Sequence, residues 1–375
     1  MAKKSIINIS QKDTTKEPIF FGAPMGLQQY TDFKYPPIFN MFKQELGFFW
    51  RPEEVSVQKD RNDFSTLSQH EKFIFTKNLG YQTLLDSVQG RGIKHITEHV
   101  SNLETEAFCN WWESFETLHS YSYTYIIKAV YPDANEVFDS IKTDDAIKKR
   151  TGSVTKYYDD LIEGITEEMG DMSKKEKIDA QKKQLYLTLM SVNILEGIRF
   201  YVSFACSYAF AQNKKMEGNA KIISFINRDE NLHLGFTQYV LSRLADTKDE
   251  GFQHIVKECE PIVTQMFKDA AQEEMEWADY LFDGFQATDE EQSTGMLGLN
   301  AEILKQYMKH LTNKRMKALK LEPIFDTQKN PIPWINSWTS SKNVQEAPQE
   351  TEKEAYIVGN YDNDTEDEDF SEFEF

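Results

Sequence analysis

The segment from residue 185 to residue 210, LYLTLMSVNILEGIRFYVSFACSYAF, is apolar on every side of a helix. Its length would span a lipid bilayer. Glu196 and Arg199 lie at its middle, however, and a charged side chain at the centre of a bilayer is costly. A helix that is apolar all round is otherwise found at the centre of a large soluble protein. The segment therefore predicts a buried central helix in a soluble bundle and no membrane association.

The net charge of the chain narrows the choice of partners. It is -19 at pH 7, from 61 acidic and 42 basic residues. Nucleic-acid binding needs clustered positive charge, so this balance argues against it and favours a protein partner with a basic pocket. The three cysteines, Cys109, Cys206 and Cys259, show no CxxC spacing, and the N-terminus has no apolar signal segment. Both features predict a protein of the reducing cytoplasm.

The apolar residues recur with the spacing of helices, and strand-like alternation is hard to find, so the predicted fold class is all-α. Ser68 and Glu71 form a capping box, which opens a helix that carries Asp86. We expect this helix to end at Gly90 and Gly92, because glycine favours helix termini over helix interiors.

A second capping box, Ser101 with Glu104, predicts a helix that carries Glu116 and ends at Pro132. A polar, lysine-rich connection is expected over residues 140–182. Further helices are expected at residues 218–246, 250–284 and 300–319.

The composition divides the chain into three parts. Residues 1–30 are an N-terminal extension, and residues 31–340 are the helical domain. Residues 341–375 are polar and acidic, and they end in YDNDTEDEDFSEFEF. Such a segment cannot bury enough apolar surface to fold alone, so we predict a flexible tail.

A repeated pattern of acids and histidines lies on four of the predicted helices. Glu-x-x-His occurs at Glu116/His119 and at Glu230/His233, and each pair places both side chains on one helix face. A lone acid in an apolar helix precedes each pair, by 30 residues and by 34 residues; these acids are Asp86 and Glu196. An unpaired buried carboxylate is costly, so the pattern calls for a cation.

Four carboxylates and two imidazoles from four helices are the ligand set of dimetal carboxylate bundles, here with Asp86 in place of one glutamate. Oxygen ligands with one histidine per metal suit iron or manganese and disfavour structural zinc. The sequence therefore predicts a ferritin-like helical bundle with a buried dimetal-carboxylate site. A purely structural bundle is the weakest alternative.

Beyond this pattern, the chain from about residue 20 to its end resembles the small, radical-generating subunit of class I ribonucleotide reductase, closest to the class Ia branch. The motifs that carry the resemblance are YQTLLDSVQGR (81–91), FETLHSYSYTYII (115–127), NILEGIRFYVSFACSYAFA (193–211), NRDENLHL (227–234) and NPIPWINSW (330–338). The resemblance implies two iron ions per chain, with manganese as the alternative, held by Asp86, Glu116, His119, Glu196, Glu230 and His233.

The resemblance also implies roles for aromatic residues. Tyr123, four residues after His119, matches the tyrosine that a metal centre and O2 oxidise to a stored radical. Phe200, Phe204 and Ile226 match the apolar residues around that radical. No role is expected for Tyr121.

Trp50, in FFWRPEE, together with Asp229 and Tyr356 matches the residues that pass the radical toward the large subunit. The large subunit would then reduce ribonucleoside diphosphates to deoxyribonucleotides for DNA synthesis. The family further implies a homodimer whose C-terminal tail docks on the large subunit.

Two other functions fit a dimetal bundle. Iron oxidation and storage would use the same fold, but it gives no reason for Trp50, Tyr356 or an acidic aromatic tail. A dimetal oxygenase or desaturase would be recognised by product formation from a hydrocarbon substrate.

Overall fold

A computed structural model describes the chain over residues 6–11, 13–164, 172–285, 298–326 and 329–339. Its secondary structure is helical, and the described residues contain no strand beyond an isolated antiparallel bridge between Phe20 and Val100. The prediction of an all-α fold is confirmed. The described α-helices are α1 (Pro36–Gly47), α2 (Gln58–Thr66), α3 (Gln69–Thr97), α4 (Leu103–Val130), α5 (Ala134–Thr143), α6 (Asp145–Glu163), α7 (Lys174–Ile194), α8 (Tyr201–Gln212), α9 (Glu217–Asp246), α10 (Gln253–Phe282), α11 (Ala301–Ala318) and α12 (Asn336–Thr339).

The apolar segment at the centre of the sequence is buried as predicted. The stretch Lys174–Gln212 is long and apolar enough to cross a membrane by length and composition, but its apolar window lies wholly inside the bundle. It is not one regular helix, because a π-helical turn, Leu195–Arg199, separates α7 from α8. Arg315 of α11 donates a hydrogen bond to the carbonyl oxygen of Gly197 at 3.2 Å. The turn that carries Glu196 is thereby fixed from a neighbouring helix.

Helix α3 does not end at its glycines, which corrects the expectation from the sequence. It continues through Gly90 and Gly92 to Thr97. A Cβ atom at Gly90 would lie 3.2 Å from the Cβ of Glu116, and one at Gly92 would lie 2.2 to 2.5 Å from three ring atoms of Tyr158. These glycines therefore serve close packing against α4 and α6 rather than termination.

The start of α4 also differs from the expectation. The capping residue is Asn102, whose side chain accepts a hydrogen bond from the backbone N–H of Thr105. Ser101 instead donates to the carbonyl oxygen of Pro18 at 2.7 Å and accepts from the N–H of Gly22. The serine is used to hold the N-terminal segment. The capping box at Ser68 and the end of α4 before Pro132 agree with the prediction.

The expected connection at residues 140–182 is largely helical. It contains the end of α5, all of α6 and the first part of α7. Helix α6 is amphipathic, and its inner face buries Ile147, Val154 and Leu161. The many lysines of this region made that pattern difficult to recognise in the sequence. Helices α9, α10 and α11 lie within a few residues of their predicted ranges.

The boundary at residue 30 stays a prediction, although the chain before it contacts the bundle. Ile19 and Phe20 are fully buried, and the N–H of Ile19 donates to a carboxylate oxygen of Glu250 at 2.8 Å. The predicted tail, residues 341–375, lies outside the described residues.

Candidate metal centre

The six predicted ligands meet at one place inside the bundle. Asp86 comes from α3, Glu116 and His119 come from α4, Glu196 comes from the π-helical turn, and Glu230 and His233 come from α9. They form two groups, and in each group the ligand atoms lie within 4.8 Å of one another. Glu116 and Glu230 belong to both groups, which are completed by Asp86 with His119 and by Glu196 with His233. The arrangement offers two adjacent positions joined by two shared carboxylates.

The first position is defined by the Nδ1 atom of His119. This atom lies 3.2 Å from Oε1 of Glu230, 3.7 Å from Oε2 of Glu116 and 4.0 Å from Oδ2 of Asp86. The second position is defined by Nδ1 of His233, which lies 2.9 Å from Oε2 of Glu230 and 3.4 Å from Oε1 of Glu116. The two shared glutamates thus turn one oxygen toward each histidine, so each could contribute a ligand atom to both positions.

The donor set fits bound metal ions because six of its polar atoms lack hydrogen-bond partners within the protein. All six side chains are fully buried. Both carboxylate oxygens of Asp86 are without a hydrogen-bond partner, as are one oxygen each of Glu116, Glu196 and Glu230 and the Nδ1 atom of His119. Buried polar atoms are almost always satisfied, and leaving this many unpaired would be costly. Metal ions would satisfy them together.

Electrostatics supports the same conclusion. Burial, with the charges of neighbouring carboxylates, raises the pKa of Asp86, Glu116 and Glu196. Burial alone would lower the pKa of His233, but its hydrogen bonds to Glu230 and Glu45 raise it to about 10. The cluster therefore attracts positive charge. Two divalent ions would balance its four carboxylates.

Both histidines are held from outside by a carboxylate. The Nε2 atom of His119 lies 3.2 Å from Oδ2 of Asp229, and Nε2 of His233 lies 3.0 Å from Oε1 of Glu45. Such outer partners fix the ring so that the other nitrogen points at the metal. Asp229 was predicted from the sequence, whereas Glu45 was not. Its signal was an acid on the inner face of the amphipathic helix α1, four residues after the buried Met41.

Glu116 and the lone Glu196 have outer donors as well, and none of these donors was predicted from the sequence. Trp112 donates through Nε1 to Oε1 of Glu116 at 2.8 Å. Gln89 donates through Nε2 to Oε1 of Glu196 at 2.7 Å, and the hydroxyl of Tyr158 donates to Oε1 of Gln89 at 2.9 Å. One oxygen of Glu196 is therefore held by the protein, and the other is left for a metal ion. The one-turn spacing of Trp112 and Glu116 was the only sequence signal for these contacts.

A hydrogen-bonded path leads from the first metal position to Trp50. The indole N–H of Trp50 donates to Oδ2 of Asp229 at 2.8 Å, the same oxygen that faces His119. Arg228 donates to the other oxygen of Asp229 at 3.1 Å and to the carbonyl oxygen of Phe48 at 2.6 Å. Trp50 is fully buried. Tyr356, the other predicted transfer residue, lies outside the described residues.

Tyr123 lies in a fully buried part of the site. Its side chain is fully buried and its hydroxyl has no hydrogen-bond partner. Burial, together with the charges of Asp86 and Glu230, raises the pKa of Tyr123 well above its ordinary value. The predicted pocket residues Phe200, Phe204 and Ile226 are also fully buried, and the rings of the two phenylalanines stack with their centroids 5.6 Å apart.

The chain is similar over most of its length to proteins of one family. The family model described as "Ribonucleotide reductase, small chain" matches residues 27–331. The subunit beta of ribonucleoside-diphosphate reductase 1 from Escherichia coli O157:H7 is 46% identical, over 97% of this chain and 98% of its own. The corresponding subunit beta of Enterobacteria phage T4 is 38% identical, over 97% of each chain.

Among solved structures, the ribonucleotide reductase R2 subunit from Clostridium botulinum superposes with a TM-score of 0.76 at 27% identity, over 90% of this chain and 99% of that one. The sequence relationship extends over nearly the whole chain, and the fold and the buried carboxylate and histidine cluster accompany it. The resemblance noted in the sequence is confirmed, and the chain belongs to the ribonucleotide reductase small-chain family.

Proposed function

We propose that this chain is the small, beta subunit of a ribonucleoside-diphosphate reductase that stores an oxidising equivalent on Tyr123 and lends it to a large subunit. Support comes from one spatial relation above all. The buried phenol of Tyr123 lies beside Asp86, and Trp50 is hydrogen-bonded to Asp229 behind His119, so both adjoin the first metal position. A metal store or a structural bundle has no use for the path from His119 through Asp229 to Trp50.

The metal ligands in this proposal are Asp86, His119 and the shared Glu116 and Glu230 at one position, and Glu196 and His233 with the shared pair at the other. Iron is the proposed metal, since carboxylate oxygens with one imidazole per ion suit it. With O2, a metal pair held there would supply the one-electron oxidation of the Tyr123 phenol.

The residues around the phenol protect and direct the radical. Full burial of Tyr123 excludes water and reductants from it, and the fully buried Phe200, Phe204 and Ile226 are the proposed apolar residues of its pocket. Asp229 accepts the indole N–H of Trp50 and faces the outer nitrogen of His119, so it can hold a proton between them while an electron moves. Arg228 pairs with Asp229 and keeps its carboxylate in place.

The family membership implies partnership with a large subunit and dimer formation. We further propose that the acidic tail makes the contact with the large subunit, that Tyr356 relays the radical across the boundary, and that the protein acts in the cytoplasm. Substrate reduction would take place on the large subunit.

The test is to add ferrous iron and O2 to metal-free protein, then to measure the metal content and the electron paramagnetic resonance spectrum. We expect about two metal ions per chain and a tyrosyl radical signal. Tyr123→Phe should keep both metal ions and lose the signal, because the phenol is not a ligand. A radical signal that survives in this variant would assign the radical to another residue.

Glu230→Ala should lower the metal content, because both positions share this carboxylate. Unchanged stoichiometry would refute the ligand assignment.

A further inference from the structure

Residues 48–55, here called the Trp50 segment, connect α1 to α2 and present Trp50 to Asp229. The segment contains little regular structure of its own. It has one 3-10 turn, Pro52–Glu54, closed by bonds from the N–H of Glu54 to Arg51 at 3.1 Å and from the N–H of Val55 to Pro52 at 3.0 Å. So short a turn does not hold its position without contacts to neighbouring helices.

Helix α9 holds the inner side of the Trp50 segment. The indole of Trp50 donates to Asp229, and Arg228 donates to the carbonyl oxygen of Phe48. The guanidinium of Arg228 also lies over the Phe48 ring, 4.1 Å from its centroid. These contacts fix the first residues of the segment. Residues 53–55, which follow Trp50, form the second half of the segment.

Helix α4 supports that second half through two phenols. The hydroxyl of Tyr121 donates to a carboxylate oxygen of Glu53, and the hydroxyl of Tyr125 donates to the carbonyl oxygen of Val55 at 3.3 Å. Residues 121 and 125 lie one turn apart on the same face of α4. Tyr123, between them, points into the core. One helix therefore carries the buried phenol on one face and two phenols directed at the Trp50 segment on another.

An ordinary surface role does not account for this convergence. Tyr121 is 48% exposed and could turn its hydroxyl to water, yet both phenols end on residues within three positions of one another. The hydrogen bond from Tyr121 also lowers the pKa of Glu53, and a charged carboxylate is a strong acceptor for the phenol.

We propose that Tyr121 and Tyr125 are positioning residues that hold the Trp50 segment against α4 and so keep Trp50 within hydrogen-bond distance of Asp229. The inference rests on the proposed role of Trp50 in radical transfer. A displacement of about 1 Å at a reacting group can lower a rate roughly a hundredfold, so the exit path depends on how firmly the segment is held. The hydroxyl partners of the two phenols, Glu53 and Val55, are not proposed metal ligands, so the pair should not affect metal binding.

The test is hydrogen–deuterium exchange of the full-length protein, followed at the backbone amides of residues 48–57. Tyr121→Phe and Tyr125→Phe each remove one hydroxyl and keep the ring. We expect exchange in this segment to become about twofold to tenfold faster in each variant, the range that loss of one hydrogen bond predicts, and faster still in the double variant. Tyr131→Phe is the matched control. It lies just past the end of α4, and its hydroxyl pairs with Thr76.

Unchanged exchange in the double variant, or equally fast exchange in the control, would overturn the inference. The double variant should also bind the full metal content and form the Tyr123 radical, but turn over about tenfold more slowly with the large subunit. A full rate of turnover despite a loosened segment would equally overturn the positioning role.

Trp50→Phe separates this inference from the function on which it rests. If that variant turns over normally, the proposed transfer role of Trp50 is wrong, and with it the reason for positioning Trp50. If it stops turnover while the double Tyr variant exchanges like the unmodified protein, the present inference alone is wrong.

Discussion

Glu45 and Asp229 both hold a histidine of the metal centre, but only one of them has a cation of its own. Arg228 pairs with Asp229, whereas the second oxygen of Glu45 has no hydrogen-bond partner. Burial raises the pKa of Glu45 to about 7, against the opposing effect of His233. The contact between Glu45 and His233 is therefore the main reason for an acid at this place in α1.

Glu45→Leu should weaken binding of one of the two metal ions, because His233 loses the group that orients its ring. Loss of an outer partner commonly lowers metal affinity by about 10-fold to 100-fold. Glu45→Gln should cost less, since its amide oxygen can still accept from the imidazole. Stepwise titration of metal-free protein with Mn2+ would measure both affinities.

Glu104→Leu controls for general destabilisation, since Glu104 is also buried and accepts from the N–H of Tyr35 at 2.9 Å. If both metal affinities of Glu45→Leu equal those of the unmodified protein, the role of Glu45 is contradicted. An equal loss of metal affinity in Glu45→Leu and Glu104→Leu would contradict it as well.

Glu274 is a buried acid outside the metal centre, and it should make stability depend on pH. It accepts from the hydroxyl of Tyr81 at 2.5 Å, and burial raises its pKa to about 7 from an ordinary value of 4.5. A raised pKa in the folded state means that the stabilising contribution is complete below pH 4.5 and is lost as the pH rises through 7. The free energy of unfolding falls by roughly 3 kcal/mol over this pH range, which corresponds to the full rise in the pKa of Glu274.

Glu274→Gln should therefore gain stability relative to the unmodified protein as the pH rises from 5 to 7. Urea unfolding of the metal-free proteins at several pH values would show it, and taking the difference between two proteins cancels the titration of the metal ligands. Glu258→Gln, at an exposed ion pair with Lys183, serves as the control. A stability difference that does not change with pH would mean that Glu274 titrates like an ordinary acid.

Among the elements, α3 depends on a residue that a helix usually avoids. Gly92→Ala would place a Cβ atom 2.2 to 2.5 Å from the ring of Tyr158, so the ring must move away from Gln89. Overpacking of this kind costs about 1–3 kcal/mol. Gly152→Ala in α6 has nothing within 4 Å of the new atom and should stabilise by about 0.5–1 kcal/mol. Thermal unfolding of both variants would measure these opposite effects, and a neutral Gly92→Ala would contradict the packing role.

Gly90 and Gly92 show which features of the fold cannot be predicted from the sequence. Periodicity and capping residues predicted the long helices, because those signals are local. The packing role of Gly92 could not be predicted from nearby residues, because its contact Tyr158 lies 66 positions away in the sequence. Tyr158 also belongs to α6, a helix that its many lysines made difficult to recognise.

The metal site was more predictable than its surroundings. Asp86 and Glu196 stand out because a lone acid in an apolar helix is costly unless it has a partner, and Glu116 stands out because it belongs to a Glu-x-x-His pair. Glu45 and Gln89 could not be recognised in this way. Their partners are distant in the sequence: His233 lies 188 positions from Glu45, and Glu196 lies 107 positions from Gln89. The π-helical turn at Glu196 also leaves no clear trace in composition.

At the scale of the whole molecule, the radical must leave the subunit to be useful, and Tyr356 is the proposed relay. Tyr356→Phe removes a hydroxyl and keeps a similar apolar ring. We expect the variant to keep its metal content, its Tyr123 radical and its affinity for the large subunit, but to fail in turnover, because phenylalanine is not oxidised. Binding measurements and nucleotide reduction assays would separate the two properties. Normal turnover would exclude Tyr356 from the path.

The tail beyond Tyr356 should act as an anchor rather than a relay. Its last fifteen residues, 361–375, contain eight acids, no basic residue and three phenylalanines, Phe370, Phe373 and Phe375. Apolar side chains between acids suit a groove with an apolar floor and a basic rim. Deletion of residues 361–375 should leave the metal centre and the Tyr123 radical intact and abolish binding to the large subunit.

A peptide of residues 361–375 should compete with the whole chain, and added salt should weaken it, because charge pairs at a rim are screened. A peptide with the three phenylalanines changed to serine keeps all the acids, so it separates the apolar contribution from the charge and should compete poorly. If the truncated chain still binds the large subunit and supports reduction at the full rate, the anchor lies elsewhere on the subunit.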